Sequence, residues 1–410
     1  MSLHRVLVSA GDPSGDLILS HVIEALKAQA PARGLNLEFV GLCGPSSEAQ
    51  GVKIVAHSRD VAVVGISEVF KNLPKLFGIL GKLGQVARTC QSVLLVDFPD
   101  FNLRLAALAR KVGVPVDQIV APQVWAWRSG RIPQIVRALR SLYPALGFEE
   151  GIFSPRGLRT RYMGHPMRDI LEPRNRRGAR ENLSLDTDSP VLLWMPGSRK
   201  NEIQKHLGLF LESWAYFEAH SDQLVGAFKN IERWKILLPL APGWNEKDFL
   251  ESAGLNTKKN ELFKRLVEQK KLFVLPQGQS RVAQMAADFG WIASGTATLE
   301  AGFYQLPHIL VYKLSGFSAF VIRSQSDYFN PQKRGFVGLP NILLEREVIP
   351  ELLQSDLTPK RLAIESLEIL GNTPRLTEIR KNLRWIPKKM GEPGVTSRIA
   401  ADLLDLWTSP

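Results

Sequence analysis

Arg5-Val6-Leu7-Val8-Ser9, running straight into Ala10-Gly11-Asp12-Pro13-Ser14-Gly15-Asp16, is the stretch whose reading decides the fold. A short apolar run that breaks into a glycine-containing turn, and then into the helical spacing of Asp16–Ala30, is the opening of a β-α-β unit. Ser14-Gly15-Asp16 supplies the start signal, with donors and an acid in the first helical turn. The pattern recurs. Further strands are expected at Glu38–Leu42, Ser92–Asp97 and Gln118–Ala121, and then at Val191–Met195, Lys235–Leu240, Leu272–Leu275, Trp291–Ala293 and Ile309–Tyr312. Such alternation makes parallel α/β sheets. A chain of 410 residues is too long for one ordinary core. The break falls in the polar stretch Arg174–Gly178 and Asp186–Pro190, read as linker or surface loop. The expected class is therefore α/β, two Rossmann-like domains with a cleft between them. The first spans residues 1–175 and the second 190–350. Residues 351–410, helical in pattern from Pro350 onward, are expected to pack back toward the first domain.

Composition narrows the function. At 45% hydrophobic and 22% charged residues this is a soluble globular composition. No run of eighteen apolar residues is present to span a bilayer. The Val6–Val8 run is too short for a signal-peptide core, and two cysteines, Cys43 and Cys90, in so long a chain point to the cytoplasm. The net charge of +12 calls for an anionic partner: nucleic acid, a phosphorylated substrate or an acidic membrane. Zinc-finger spacing, an aromatic RNA-binding signature and a long basic tail are all missing, which sets nucleic acid aside.

In open α/β sheets ligands sit beyond the carboxyl ends of the strands, so the loops there carry the functional reading. The first turn lacks the G-x-G-x-x-G spacing of dinucleotide sites, which argues against a dehydrogenase. Its Asp12, beside a helix start, suits the hydroxyls of an acceptor; a capped turn with nothing bound is the alternative. The third strand ends in Val96-Asp97-Phe98-Pro99-Asp100-Phe101-Asn102. Two carboxylates among aromatics and proline make a place where one pKa rises toward neutrality, as a general base for a sugar hydroxyl needs. Asp97 is the base candidate, and Asp100 is expected to cap the next helix. Next comes Pro122-Gln123-Val124-Trp125-Ala126-Trp127-Arg128-Ser129-Gly130-Arg131, in which Arg128 and Arg131 can grip a phosphate. Its tryptophans read equally as packing.

The second half offers Pro196-Gly197-Ser198-Arg199, small residues with an arginine for a diphosphate. It also offers Ser294-Gly295-Thr296-Ala297-Thr298-Leu299-Glu300, a helix start suited to pyrophosphate, with Glu300 a turn later for ribose hydroxyls. A capped helix with a surface glutamate is the alternative. One segment faces outward instead. Val69–Arg88 mixes bulky apolar residues with Lys71, Lys75 and Lys82, the composition of an interfacial amphipathic helix, or of an ordinary helix packed on the sheet.

Taken in order, Ala10–Asp16, Gly65-Ile66-Ser67-Glu68-Val69, Asp97–Asn102, Pro122–Arg131, Gly164-His165-Pro166, Pro196–Arg199 with Glu202-Ile203, Gly295–Glu300 and Leu339-Pro340-Asn341 resemble the lipid-A-disaccharide synthase family. The resemblance implies the GT-B glycosyltransferase fold. It implies inverting transfer from UDP-2,3-diacylglucosamine to 2,3-diacylglucosamine 1-phosphate, with no metal and no cofactor. It also implies a peripheral place on the anionic cytoplasmic face of a Gram-negative inner membrane. By motif, Asp97 matches the family's essential aspartate and Arg199 its diphosphate-contacting arginine. The donor set is then Gly197, Ser198, Arg199, Gly295, Thr296, Ala297, Thr298, Glu300 and Asn341. The acceptor set is Asp12, Ser14, Asp100, Asn102, Trp125, Arg128 and Arg131. Asp12 stands where the family usually has glutamate, and Ala121 where serine is common. Tyr143–Glu149 is an expanded form of the family's Pro-Phe-Glu run, and Glu149 receives no role. Two other readings stay open: a GT-B enzyme acting on UDP-N-acetylglucosamine, and a non-catalytic lipid-surface binding protein.

Overall fold

The computed structural model describes residues 2–61, 66–125, 129–313 and 335–408, with the side chains of 66–73 left aside. The chain divides into two units: Met1–Leu171 with Met390–Pro410, and Glu172–Lys389. Each is built on a parallel sheet.

In the first unit the strands are β1 (Ser2–Ala10), β2 (Leu35–Cys43), β3 (Lys53–His57), β4 (Ser92–Val96), β5 (Val116–Ile119), β6 (Ser141–Tyr143) and β7 (Arg159–Thr160), in the order β3-β2-β1-β4-β5-β6-β7. A parallel sheet covered on both faces needs strands that are apolar throughout, and all five residues of β4 are buried. Gly41 lets β2 lie against β1, since a Cβ there would stand 2.0 Å from the Val8 carbonyl oxygen. The second unit carries β8 (Val191–Met195), β9 (Lys235–Pro239), β10 (Leu272–Leu275), β11 (Phe289–Ala293), β12 (His308–Tyr312) and β13 (Glu351–Leu353), in the order β10-β9-β8-β11-β12-β13. Its core is aromatic. Trp194 of β8 stacks on Trp291 of β11 with ring centroids 5.7 Å apart, and the Trp291 indole donates to Ser366 Oγ at 2.8 Å.

All nine strands expected from the sequence are present. Among the described residues four more, β3, β6, β7 and β13, sit at or toward the sheet margins. The last corrects the helical reading from Pro350 onward. The first helix also begins earlier than Ser14-Gly15-Asp16 suggests. It spans Pro13–Gln29, capped by Asp12, whose Oδ1 accepts from the Gly15 N–H at 2.8 Å. The polar stretch after Arg174 is not simply a surface loop. Arg176–Asn182 is helical, and Arg180 is fully buried, donating to the Asp186, Thr187, Ser189 and Ala286 carbonyls and to Asp288.

From Ile79 onward, the helix Ile66–Ala87 shows the ordinary packed reading of the basic segment: Ile79, Leu80, Leu83 and Ala87 join the first core. Phe77 stays exposed, with the Arg104 guanidinium 5.6 Å from its ring centroid. Val69–Leu73 lie outside the described side chains, as does Gly65 of the motif that precedes them. Among the described residues no helix is long and apolar enough to cross a membrane.

The C-terminal helix Val395–Thr408 belongs to the first unit and is tied to it by buried polar contacts. Asp402 accepts from Tyr143 Oη at 2.6 Å, from both Nη atoms of Arg159 at 2.6 and 2.8 Å, and from Arg161. Burial alone would push this carboxyl up, but the donors from Arg159 and Tyr143 outweigh it and hold the pKa down to about 2. Asp402→Ala strands the buried Tyr143 hydroxyl and the two guanidinium groups. Equilibrium unfolding at pH 7 should show a loss of about 3 kcal/mol, the low end for a broken buried pair, because both arginines reach solvent. The stabilisation is present above the ordinary carboxyl range and disappears as pH falls toward 2, so the variant should also lose part of the wild-type acid transition.

Candidate active site

Both strand orders reverse at one point. In the first unit the connections leave in opposite directions between β1 and β4, and in the second between β8 and β11. Such switch points leave the carboxyl ends of two adjacent strands uncovered, and ligands bind there. The loops singled out from the sequence after Ala10, Val96, Met195 and Ala293 are the loops at these two points.

At the end of β4 the backbone turns sharply. Asp97 and Phe98 take left-handed conformations, φ 46° and 51°, and Pro99 then starts the helix Pro99–Lys111. Non-glycine residues adopt this region at a cost of about 1–2 kcal/mol each. The Phe98 ring lies over Gly11, where a Cβ would meet Phe98 Cδ1 at 2.3 Å. The Asp12 turn and the Asp97 turn are therefore neighbours, and Gly15 would also place a Cβ 3.5 Å from the Val96 carbonyl oxygen. Asp97 is part-buried. The helix has no side-chain cap, which corrects the expectation for Asp100: its carboxylate pairs instead with Arg131 Nη1 at 2.6 Å, near the surface. Two acceptor candidates are thus brought together. Asn102 moves the other way. It is fully buried, donating to the Ser9, Val96 and Asp97 carbonyls and accepting from Ser9 Oγ. An amide used this way has nothing left for an acceptor. Ser14 is part-buried in its turn, and Arg128 lies outside the described residues.

Trp125 uncovers a residue to which the sequence assigned nothing. Its indole Nε1 donates to Glu149 Oε1 at 3.0 Å, while the Leu146 N–H donates to Oε2 at 3.1 Å. Glu149 is 1% exposed. Burial pushes its carboxyl up to about 7, the Trp125 and Leu146 donors pull against that, and the charge of Asp97 adds to the rise. Phe148 stands beside it, half-exposed and edge-on to Trp125 at 5.2 Å. A signal was available in the sequence: an acid directly following the aromatic of a Gly-Phe-Glu turn.

In the second unit, Gly197 has φ 120°, and a Cβ there would meet Glu202 Oε2 at 2.5 Å. That close approach lets Glu202 accept from the Ser198 and Arg199 N–H groups at 3.0 and 3.2 Å. These two backbone donors are therefore occupied. The Arg199 side chain is 68% exposed, held by a 3.4 Å contact with Glu202 Oε1. After β11, Gly295 has φ 148° with open space where a Cβ would be, and the helix Thr296–Phe303 starts without a side-chain cap. Thr296 and Ala297 are part-buried at its start. Thr298 faces inward, its hydroxyl donating to the Gly295 carbonyl at 2.9 Å. Glu300 is oriented by Gln284 Nε2 at 2.9 Å and Arg281 Nε at 3.3 Å. Asn341, expected at the donor, is fully buried: it donates to the Ile349 carbonyl and to Glu351, and accepts from the Val348 and Ile349 N–H groups.

A family model described as lipid-A-disaccharide synthetase matches residues 6–393. The chain belongs to this family. A lipid-A-disaccharide synthase of Myxococcus xanthus (strain DK1622) is 34% identical over 409 residues, covering 98% of this chain and 97% of that protein. Solved structures agree on the fold at 11% identity. The S. aureus MnaA–UDP co-structure aligns at TM-score 0.63 over 98% of this chain and 96% of that one. UDP-GlcNAc 2-epimerase from Neisseria meningitidis bound to UDP-GlcNAc aligns at 0.61 over 99% and 100%. The fold is GT-B, and as a lipid-A-disaccharide synthetase family member this chain is a hexosyltransferase of lipid A disaccharide synthesis.

The raised pKa of Glu149 has a measurable sign. A carboxyl that is harder to ionise when folded contributes stability while protonated and loses it as pH rises through about 7. Between pH 5 and pH 8, wild-type protein should lose thermal stability that Glu149→Gln keeps. Equal losses in the two proteins would mean that Glu149 ionises without penalty.

Proposed function

We propose that the chain joins UDP-2,3-diacylglucosamine to 2,3-diacylglucosamine 1-phosphate, releasing UDP and forming a β-1,6 linkage with inversion at the donor's anomeric carbon. The observation that carries this reading is the left-handed Asp97–Phe98 turn at the β1/β4 switch point, which sets a part-buried carboxylate beside the Asp12 turn. Asp97 takes the proton of the acceptor's 6-hydroxyl as that oxygen attacks the anomeric carbon. Trp125 offers an indole face to the acceptor. Arg131, steadied by Asp100, serves its 1-phosphate, with Arg128 from the same loop and Asp12 and Ser14 toward its hydroxyls.

The donor belongs to the second unit. The exposed Arg199 guanidinium meets the diphosphate, and its charge stabilises the departing UDP. The helix start at Gly295–Ala297 adds its dipole to the same task. Glu300, preset by Arg281 and Gln284, accepts from the ribose hydroxyls. Gly197 and Thr298 shape these loops rather than touch the donor. The net charge of +12 and the half-exposed Phe77 favour a peripheral place at an anionic membrane face, where both lipid substrates reside.

Asp97→Asn keeps the shape and removes the base. With both substrates saturating, UDP release should fall on the order of 10²–10⁴-fold while donor affinity is unchanged; near-normal turnover would sink the assignment. Arg199→Ala should act mainly on the donor, raising its KM and lowering kcat/KM by about 10²-fold, with acceptor KM unmoved. Mass spectrometry of the products identifies the disaccharide, and its absence would overturn the substrate assignment.

A further inference from the structure

We propose that Asn102 is the positioning residue of the Asp97 turn, so that its buried side-chain amide, braced by Ser9, sets the aim of the Asp97 carboxylate. The inference rests on the reading of Asp97 as the base. Asn102 lies in the first turn of the helix that follows Asp97, with its own N–H donating to the Phe98 carbonyl at 3.0 Å. Its Nδ2 reaches three carbonyl oxygens on two strand ends: Asp97 at 2.7 Å, Val96 at 3.2 Å and Ser9 at 3.3 Å. Its Oδ1 accepts from Ser9 Oγ at 2.6 Å, a contact that fixes which way the amide faces. Both Ser9 and Asn102 are 0% exposed.

The arrangement bears directly on a strained segment. Asp97 and Phe98 carry positive φ without being glycine, and such conformations persist where the surroundings over-determine them. Here the surroundings are the Asn102 amide on the Val96 and Asp97 carbonyls, and the Phe98 ring filling the space left by Gly11. The Phe98 side chain has no polar atom with which to cap the helix, so the amide supplies the tie between the turn and the first helical turn. The Asp97 carbonyl, just beyond the end of β4, is the nearest of the three to the amide, and a buried acceptor that loses its donor costs on the order of 1–3 kcal/mol. Removing that donor releases the peptide groups on both sides of Asp97. The carboxylate then moves off line, and a misplacement of about 1 Å costs on the order of 10²-fold in rate.

The test is Asn102→Asp, which keeps size and the acceptor toward Ser9 but replaces the Nδ2 donor with an oxygen. UDP release is measured with UDP-2,3-diacylglucosamine and 2,3-diacylglucosamine 1-phosphate on protein shown to be folded by its thermal midpoint. The expected result is a fall in kcat on the order of 10²-fold with donor KM within about two-fold of wild type. The double variant with Asp97→Asn should be no slower than Asp97→Asn alone, since the effect passes through Asp97. A folded Asn102→Asp enzyme with wild-type kcat overturns the proposal, as does a further loss in the double variant. Should Asn102→Asp not fold, Ser9→Ala decides. It leaves the amide in place but unbraced, and kcat should fall about three- to ten-fold at unchanged donor KM, whereas unchanged kcat overturns the proposal. Asp97→Asn separates the two readings. If it turns over normally the base assignment fails. If it is inactive while Asn102→Asp is normal, only the positioning role fails.

Discussion

The turn at Asp97–Phe98 is the constraint around which the first unit's site is organised. The chain there leaves a fully buried strand and must reverse into a helix within two residues, and it does so through left-handed backbone that neither residue favours. The cost is offset by neighbours of unequal kinds. Gly11 contributes the absence of a side chain, so that an aromatic ring can lie where a Cβ would be. Asn102 contributes donors from below. Asp12 closes the adjacent turn with its own carboxylate on the Gly15 N–H. Strand order decides that these pieces meet, because β1 and β4 are paired while their connections run apart.

The second unit solves the same problem with different chemistry. Its loop after β8 is rigidified by a carboxylate, Glu202, that folds back over Gly197 onto two N–H groups, and by the Trp244 indole on the Ser198 carbonyl. Those donors would otherwise be natural ligands for an anion, so the loop's positive character resides in the Arg199 guanidinium rather than in the backbone. Around Glu300, Arg281 and Gln284 fix the carboxylate's direction before any ligand arrives. A preset acceptor of this kind favours a hydroxyl partner, since its charge is already partly met by arginine.

What was legible in the sequence follows from how far each signal reaches along the chain. Central strands of parallel sheets are short continuous apolar runs, and β1, β4, β8 and β11 stand out as such; with them come the four loops that follow. The marginal strands were illegible for the same reason. Arg159–Thr160 has two residues, and Glu351–Leu353 begins with a buried glutamate that serves as an acceptor for Val337, Gly338 and Asn341. Polar residues were the harder case. Asn102 and Asn341 sit in loop-like motifs, where a short amide reads as a ligand contact, yet each satisfies buried backbone from a position that local pattern does not reveal. Arg180 misleads in the same direction: a charge in a polar stretch reads as surface, but five donors in a fixed fork can serve a cluster of carbonyls that meets only in the fold.

Three buried acids show how structure and chemistry separate. Asp402 and Asp288 each meet two arginines, and each ties chain segments together, the C-terminal helix in one unit and the stretch after Arg174 in the other. Glu149 is buried as deeply, but among the described residues it is met by the indole of Trp125 and the Leu146 N–H, and by no ion pair. Donors without charge satisfy its oxygens while leaving its ionisation costly, so burial is the main reason that its carboxyl is pushed up, with the charge of Asp97 adding to the rise. A glutamate needed for folding alone would be better served by a cation or by an uncharged replacement. Its hydrogen bond to Trp125 of the Pro122–Arg131 loop and its electrostatic coupling to Asp97 link the Trp125–Glu149 pair to the turn that follows β4. The same pair gives the expanded Tyr143–Glu149 segment a physical reason to end on an acid.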